Sequence, residues 1–197
     1  LTYMVRYFTD RLILTPGPTE IPWRIQRALL QKTTNPDLDP KFIEYYNNVR
    51  AKIAKLLHAS ESTIYILSGE AMLGLEAAIA NTIREGDKVL VLSNGVFGEA
   101  FADLVKAYGG KPILLSKDYR EVISASDVEQ ALKANQDVKA VTLVHCETPS
   151  GLLNPLKEIV RQPPYFILTL LGGTYYENGN PVPGMEEEFI EGIKNIV

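Results

Sequence analysis

A polar turn at Ser68-Gly69-Glu70-Ala71 is the first place where the sequence could bind a ligand. A turn that opens a helix presents unpaired backbone N–H groups and the positive end of the helix dipole, which together favour a phosphate. Gly69 permits a tight turn at this point. Glu70 counts against a phosphate, because two negative groups repel each other unless the side chain points away. An ordinary strand-to-helix connection is the alternative.

The segment Ser93-Asn94-Gly95-Val96-Phe97-Gly98 could offer a flat aromatic surface to a planar ligand. Glycines on both sides of Phe97 let the backbone fold sharply after the apolar run that ends at Leu92. Open α/β sheets bind ligands beyond the carboxyl ends of their strands, so a ring placed there could stack on a heterocycle. The alternative is an ordinary turn with Phe97 packed in the core.

The segment His145-Cys146-Glu147-Thr148-Pro149-Ser150-Gly151 places hydroxyl groups, a carboxylate and an imidazole in one loop. This is more polar chemistry than a turn requires, which favours ligand contact. Adjacent residues of an extended segment point to opposite faces, so Cys146 and His145 are not expected to form a nucleophile and base pair. We interpret His145 as a hydrogen-bonded structural residue. The stiff segment Thr15-Pro16-Gly17-Pro18-Thr19 by itself predicts only a loop.

The scaffold for these segments is predicted by apolar runs that alternate with amphipathic stretches as far as about Lys157, a pattern typical of an α/β sheet. Nearly continuous apolar character suits strands that are buried on both faces. The predicted strands are Thr63–Leu67, Lys88–Leu92, Lys111–Leu115 and Ala140–His145. The predicted helices are Pro22–Gln31, Pro40–Leu57, Ala71–Ile83, Gly98–Tyr108 and Ala125–Ala134. Parallel strands joined by right-handed crossovers should bring the three polar turns to one cleft.

The pattern changes in the last part of the chain. The pair Pro163-Pro164 interrupts a helical stretch, Phe166–Leu171 is a further strand candidate, and Glu186–Val197 predicts an acidic amphipathic helix. We therefore expect residues 1–160 to form one domain, and residues 161–197 to form a divergent tail whose packing the pattern does not define.

The composition is that of a soluble protein of 197 residues with 46% apolar residues, enough to bury a core. A net charge of −4 offers no basic footprint for nucleic acid or an anionic membrane. The apolar runs are too short to span a bilayer and Leu1–Asp10 lacks the order of a signal peptide, so a cytoplasmic location is expected. A single cysteine excludes an internal disulfide, and with two histidines it argues against a metal site.

The order of the motifs resembles the class V aminotransferases, the family that contains serine–pyruvate and alanine–glyoxylate aminotransferases. The chain contains LTPGPTEIP, then EYYNNVRAKIAKLL, LSGEAMLGLEAAIAN, EGDKVLVLSNGVFGEAFAD and KAVTLVHCETPSGLLNPLKEI. The match runs continuously from about Leu12 to Ile159. It implies the α/β large domain of a fold-type I pyridoxal-phosphate-dependent transferase, with a mainly parallel sheet flanked by helices, incomplete at its carboxyl end. A homodimer is also implied.

The resemblance implies a set of residues that bind pyridoxal 5'-phosphate: Glu70, Ala71, Met72, Phe97 and Thr148. The first three form the turn that holds the phosphate, the phenyl ring stacks on the pyridine ring, and the threonine hydroxyl meets the phenolic oxygen. Gly17 belongs to the loop near the substrate carboxylate. The usual family turn is Ser-Gly-Ser-Gly-Thr, so this chain retains backbone donors but loses hydroxyl groups there.

Two departures from the family bear on activity. The strand after the LNPLKEI helix ends in an aspartate in the family, whereas Phe166–Gly173 contains none. Neither Lys157 nor Lys194 has the context of the family's cofactor-binding lysine, so no catalytic residue is assigned. The resemblance implies amino transfer from an alanine- or serine-like amino acid to a glyoxylate- or pyruvate-like 2-oxo acid, with this chain inactive by itself. The alternative is a non-catalytic remnant that binds a ligand or a related subunit.

Overall fold

The computed structural model describes residues 13–18, 20–56, 60, 64–159, 166–169, 176–177 and 180–181. The chain divides into two compact units, Leu1–Thr33 and Thr34–Val197. The helices are α1 (Trp23–Ala28), α2 (Pro40–Leu56), α3 (Ala71–Thr82), α4 (Val96–Ala107), α5 (Ala125–Ala134) and α6 (Leu156–Ile159). The strands are β1 (Lys88–Ser93), β2 (Lys111–Ser116), β3 (Val138–Leu143), β4 (Cys146–Glu147), β5 (Leu152–Leu153), β6 (Phe166–Thr169), β7 (Tyr176–Glu177) and β8 (Asn180–Pro181).

The amino-terminal unit contains α1, which is shorter than the helix predicted for Pro22–Gln31. The Pro22 carbonyl accepts the first bonds of this helix, from Ile25 N at 2.8 Å and Gln26 N at 3.1 Å. At its end, Leu30 N donates to the carbonyl three residues back, at 3.1 Å. Bonds of this shorter span tighten the last turn and end the helix.

A four-stranded parallel sheet lies at the centre of the larger unit, in the order β2-β1-β3-β6. Leu92 of β1 is paired with Leu115 of β2 on one side and with Leu143 of β3 on the other. The central strands β1 and β3 are almost entirely buried, as their continuous apolar runs predict. The predicted parallel α/β sheet is confirmed. The observed ends of β1, β2 and β3 differ from the predicted ends by at most two residues.

Two hydrophobic clusters hold helices against the two faces of the sheet. On one face Val91 packs in a cluster with Phe101 of α4, and on the other Leu92 packs in a cluster with Val128 of α5 and Ile159 of α6. Neighbouring residues of β1 serve opposite clusters because successive side chains of a strand point to opposite faces. Full burial of one such side chain stabilises a fold by roughly 1.5 to 3 kcal/mol.

The chain leaves β1 in one direction along the sheet and leaves β3 in the other. α4 links β1 to β2, α5 brings the chain back to β3, and α6 precedes β6 on the far side. Right-handed crossovers that run in opposite directions place their helices on opposite faces of the sheet. β1 and β3 therefore flank a topological switch point, and open α/β sheets bind ligands in the crevice beyond such a point.

The strand predicted for Thr63–Leu67 is wrong for the part that the structure describes, residues 64–67. Ile64 is buried, but Tyr65 is 80% exposed and Leu67 is 50% exposed. The Ile64 carbonyl accepts a hydrogen bond from Arg50 Nε at 3.0 Å instead of one from a neighbouring strand. A strand requires a partner for its backbone hydrogen bonds. The β-prone side chains of this segment were therefore not sufficient to make it a strand.

A capping box begins α5. Ser124 Oγ accepts a hydrogen bond from Asp127 N at 3.1 Å, and Asp127 Oδ2 accepts one from Ser124 N at 3.0 Å. Lys117 Nζ lies 3.0 Å from the other carboxylate oxygen of Asp127. The hydrogen bonds from Ser124, followed by the contact with Lys117, lower the pKa of Asp127 from 3.8 to about 2.

Asp127→Asn is expected to lower the free energy of unfolding by about 1 kcal/mol at neutral pH. The folded-state pKa lies below the unfolded value, so this contribution is complete above about pH 4 and is lost as the pH falls towards 2. Urea unfolding of parent and variant at pH 7 and pH 3 measures the effect. Asp103→Asn, in an exposed pair with Lys106, is the control and should change stability by less than about 0.5 kcal/mol. A difference for Asp127→Asn that does not vary with pH would contradict this account.

None of the helices in the described ranges is long and apolar enough to cross a membrane. Beyond the main sheet, β4 and β5 form a short antiparallel hairpin after β3, and β7 and β8 form another. The described part of the strand candidate Phe166–Leu171 is β6, Phe166–Thr169, which pairs with β3 in parallel. The rest of the candidate lies outside the described residues. The helix predicted for Glu186–Val197 lies outside the described residues.

Candidate functional site

The candidate site lies at the carboxyl ends of β1 and β3, where two of the polar segments emerge from the sheet. Two residues separate α4 from β1, and α4 carries Phe97 in its first turn. The segment after β3 leads into the hairpin that carries Thr148. β1 and β3 are parallel neighbours, so they end at the same edge of the sheet. Phe97 and Thr148 therefore both follow strands that end at the edge where the switch point lies.

Phe97 is half-buried, and its ring packs against the cluster that contains Phe101 and Ile79. It therefore contributes to the core, as the alternative interpretation held, while part of its side chain remains exposed. The flanking glycines serve close packing rather than a sharp bend. A Cβ atom at Gly98 would lie 2.7 Å from the Ser93 Cα atom, and a Cβ atom at Gly95 would lie 2.4 Å from Glu147 Cγ.

Glu147 supplies the carboxylate of the polar loop that the sequence indicated, but the sequence predicted neither its full burial nor its partners. Its Oε1 atom accepts a hydrogen bond from Phe97 N at 3.2 Å, and its Oε2 atom accepts one from Gly98 N at 3.3 Å. The first N–H groups of a helix have no partner within the helix, and the helix dipole favours a negative group there. The carboxylate thus fastens the first turn of α4 to the loop after β3.

Thr148 is half-buried and is the first residue of the turn that joins β4 to β5. The Glu147 carbonyl accepts bonds from Ser150 N at 3.2 Å and from Gly151 N at 2.8 Å, which closes this turn. Gly151 has a φ of 71°, a conformation that favours glycine. Because Thr148 follows Glu147 directly, the bonds of Glu147 to α4 bring the turn that bears Thr148 next to the turn that bears Phe97.

Glu70 caps the start of α3 with its own side chain. Glu70 Oε2 accepts a hydrogen bond from Met72 N at 3.3 Å, and the Glu70 carbonyl accepts one from Leu73 N at 2.9 Å. Glu70 and Ala71 are exposed, and Met72 is half-buried. A carboxylate therefore already uses a backbone donor that a phosphate at this helix end would need.

The start of α3 lies on the same side of the sheet as the other two segments. α3 and α4 each have 12 residues, about 18 Å of helix, and their clusters join along one face of the sheet. They end together, since Gly86 N after α3 donates to Gly109 O after α4 at 2.9 Å. Both helices run from the carboxyl edge of the sheet to its amino edge, so Ala71 lies towards the edge of Phe97 and Thr148.

Two buried asparagines brace the loops around the site, a feature that the sequence did not reveal. Asn94 Nδ2 donates to Asn154 Oδ1 at 2.8 Å, and Asn154 Nδ2 donates back to Asn94 Oδ1 at 3.1 Å. Asn154 also donates to Val144 O at 2.8 Å and accepts from Ile123 N at 3.2 Å. The pair holds together the segments that follow β1 and β3.

His145 is half-buried, and burial lowers its pKa below the usual value of 6.5. Its carbonyl accepts a hydrogen bond from Asn154 N at 2.7 Å. A lowered pKa favours the uncharged imidazole at neutral pH. The predicted structural role of this side chain stays a prediction. Cys146 lies in β4, paired with Leu153.

Gly17 belongs to the amino-terminal unit and lies in a bend between Pro16 and Pro18. Thr15 Oγ1 donates to the Pro18 carbonyl across this bend. The predicted role of Gly17 near the substrate carboxylate stays a prediction.

The residues of the larger unit fit one end of pyridoxal phosphate better than the other. A partly exposed phenyl ring and a threonine hydroxyl at the switch point suit a flat pyridine ring that carries a phenolic oxygen. The start of α3 does not fit a phosphate as it is found, because the Glu70 carboxylate bonds to Met72 N there. A phosphate could use this helix end only if Glu70 turned away.

Most of the chain matches one enzyme family. Residues 23–166 match the family model of the class-V aminotransferases. An uncharacterized aminotransferase of Methanocaldococcus jannaschii is 36% identical over 151 residues, which cover 76% of this chain and 38% of that protein. Pyridoxamine–pyruvate transaminase of Mesorhizobium japonicum is 37% identical over 159 residues, which cover 79% of this chain and 40% of that protein.

A solved structure has the same fold. The crystal structure of pyridoxamine–pyruvate aminotransferase from Mesorhizobium loti matches with a TM-score of 0.71 and 31% identity, over 81% of this chain and 41% of that chain. The chain thus spans about two fifths of the length of the relatives that it matches. Enzymes of this family depend on pyridoxal phosphate. From the parallel sheet, the ordered motifs and the match over residues 23–166, the chain belongs to the class V aminotransferases.

Proposed function

We propose that this chain provides the face of an aminotransferase that binds a pyridoxal-type ring, with Phe97 against the ring and Thr148 at its phenolic oxygen. The observation that supports the proposal is the pair of hydrogen bonds that Glu147 accepts from the first turn of α4, because Glu147 directly precedes the turn that bears Thr148. The reaction is the transfer of an amino group from an alanine- or serine-like amino acid to a pyruvate- or glyoxylate-like 2-oxo acid. The relative named pyridoxamine–pyruvate transaminase supports pyruvate as the acceptor class.

The roles of the residues in this chain are binding and orientation. A bound pyridoxal ring supplies the electron sink on which amino transfer depends. The Phe97 side chain provides an apolar wall that fixes the plane of the ring and excludes water from one side. The Thr148 hydroxyl can donate a hydrogen bond to the phenolic oxygen and so fix the rotation of the ring. Gly17 in the amino-terminal unit is assigned to the loop that receives the substrate carboxylate.

The phosphate end of the site decides which form of the ring binds. Ala71 and Met72 offer backbone donors at the start of α3, but the carboxylate of Glu70 competes for them and repels a phosphate. Pyridoxal phosphate is therefore held weakly at this end. A ring without a phosphate, such as pyridoxamine, is the second candidate ligand, favoured by the position of Glu70 and by the substrate in the name of a relative that is 37% identical.

Phe97→Leu is expected to weaken the binding of a pyridoxal-type ring by roughly two- to tenfold, because it keeps apolar bulk but removes the aromatic face. Phe97→Tyr, which keeps the ring, is the matched control and should bind within about twofold of the parent. Absorbance titration of the folded proteins with pyridoxal phosphate and with pyridoxamine measures both affinities. Equal affinities in the parent and Phe97→Leu would remove Phe97 from the site.

A non-catalytic role is the rival function, in which the chain binds a ligand or a related subunit. Its support is that the described strand β6, Phe166–Thr169, has no aspartate in the position that the family uses for the pyridine nitrogen. The proposal also includes the homodimer that the family resemblance implies. Analytical ultracentrifugation, combined with absorbance titration, separates these cases. A remnant that only binds a subunit would form an assembly but would not change the absorbance of an added ligand.

A further inference from the structure

We propose that Glu147 is a positioning residue that sets the angle of Phe97 towards the ligand. The inference rests on the proposed function and adds a residue to which neither the family match nor the carried-over motif assigns a role. The basis of the inference is one contact. The buried carboxylate of Glu147, on the loop after β3, accepts hydrogen bonds from two backbone N–H groups at the start of α4.

The geometry leaves Glu147 little freedom. Its side chain is fully buried, and each of its two carboxylate oxygens accepts one bond from α4. Gly95 provides the space, because a Cβ atom there would lie 2.5 Å from the Glu147 Cδ atom and 2.9 Å from Oε2. Any side chain at Gly95 would thus expel the carboxylate from its place.

The two bonds act on the backbone of the residue that is to face the ligand. Phe97 N is one of the donors, so a change in the carboxylate alters the orientation of the Phe97 backbone and with it the ring. Glu147 is also the direct neighbour of Thr148 in sequence. One side chain thereby couples the two ring-facing groups of the proposed site.

A neutral amide cannot replace this carboxylate. Glutamine has one acceptor oxygen, and its NH₂ group would face a second backbone N–H donor. Hydrogen bonds that involve a charged group are among the stronger ones in proteins, and a buried donor that loses its partner is costly. Glu147→Gln should therefore release the first turn of α4 while it conserves the volume of the side chain.

The test combines ligand affinity with amide exchange on the full chain. Glu147→Gln is expected to weaken the binding of pyridoxamine and of pyridoxal phosphate by no more than Phe97→Leu does, roughly two- to tenfold, and by less than about twofold when Phe97→Leu is also present. The amides of Phe97 and Gly98 should exchange about tenfold faster in Glu147→Gln, whereas amides of β1 and β3 keep their protection.

A core variant separates positioning from stability. Val141→Ala, on the opposite face of β3, should lower the melting temperature but leave affinity and the exchange of Phe97 unchanged when measured well below that temperature. If Glu147→Gln fails to fold, Glu147→Asp replaces it, since the shorter side chain cannot reach both donors, and the same losses are expected.

The outcomes distinguish this inference from the proposed function. If the parent binds ligand and Glu147→Gln binds it equally, or if its losses simply add to those of Phe97→Leu, the positioning role is overturned and the function remains. If the parent binds neither ligand while exchange at Phe97 and Gly98 depends on Glu147, the proposed function fails and the hold of Glu147 on the turn stands. Exchange that does not depend on Glu147 overturns the inference in either case.

Discussion

Glu70→Ser is expected to tighten the binding of pyridoxal 5'-phosphate by at least about tenfold. The substitution removes a negative group from the helix end where the phosphate would lie, and it frees the Met72 N–H donor that Glu70 now uses. Serine also keeps a good cap for the helix. Titration of parent and variant by absorbance measures the change.

A ligand without a phosphate provides the internal control for this substitution. Pyridoxamine should bind to Glu70→Ser and to the parent with affinities within about twofold, because the repulsion involves only the phosphate. Glu129→Ser, which removes an exposed carboxylate from α5, controls for the general change in net charge and should alter neither affinity. If Glu70→Ser changed both ligands equally, or left pyridoxal phosphate unchanged, the assignment of Glu70 to the phosphate end would be wrong.

The purified 197-residue chain is expected to show no more than background amino transfer, even at saturating pyridoxal phosphate. β6 supplies no aspartate to keep the pyridine nitrogen protonated, and neither Lys157 nor Lys194 has the context of the family's cofactor-binding lysine. Both losses affect the chemical step, where each 1.36 kcal/mol changes the rate about tenfold. This is the largest effect that we predict.

Turnover of alanine with glyoxylate, and of serine with pyruvate, measures that activity. Free pyridoxal phosphate with the same substrates gives the background rate, and borohydride trapping followed by mass spectrometry detects a covalent adduct of cofactor and lysine. Rapid turnover together with an adduct on any lysine of this chain would contradict the prediction. In that event Lys157 and Lys194 would be the first residues to replace.

The elements that sequence predicted well are those whose burial is decided by near neighbours. β1 and β3 read as continuous apolar runs, and they form the two central strands of the sheet. The helix Ala125–Ala134 was predicted with its observed ends, and a local capping box fixes its start. The positions of Phe97 and Thr148 at one edge followed from the parallel topology of the sheet.

Other features depend on contacts that no local pattern contains. The apolar residues of α2 recur at helical spacing, yet Ala54 is its one buried residue and Tyr45 is 62% exposed. The segment at residues 64–67 has the composition of a strand but no strand partner among the described residues. Periodicity reveals which residues could be buried, but it does not identify the surface that would bury them.

The most informative site contacts join residues about 50 or 60 positions apart in sequence. Glu147 contacts Phe97 and Gly98, and Asn154 contacts Asn94. A glutamate and two asparagines in loops resemble ordinary surface residues, because their burial arises only when the sheet brings the loops together. Gly95 was one available signal, since a glycine before a helix can mark close approach by another group, and the polarity of the loop that contains Glu147 was another.

The most direct test of the central claim is a map of backbone amide chemical shifts as the folded chain is titrated with pyridoxamine. The account predicts that the largest changes occur at Phe97, Gly98 and Thr148, with smaller ones at Ala71 and Met72, and that they saturate together. Changes that saturate elsewhere in the chain, with these five amides unaffected, would contradict the assignment of the site.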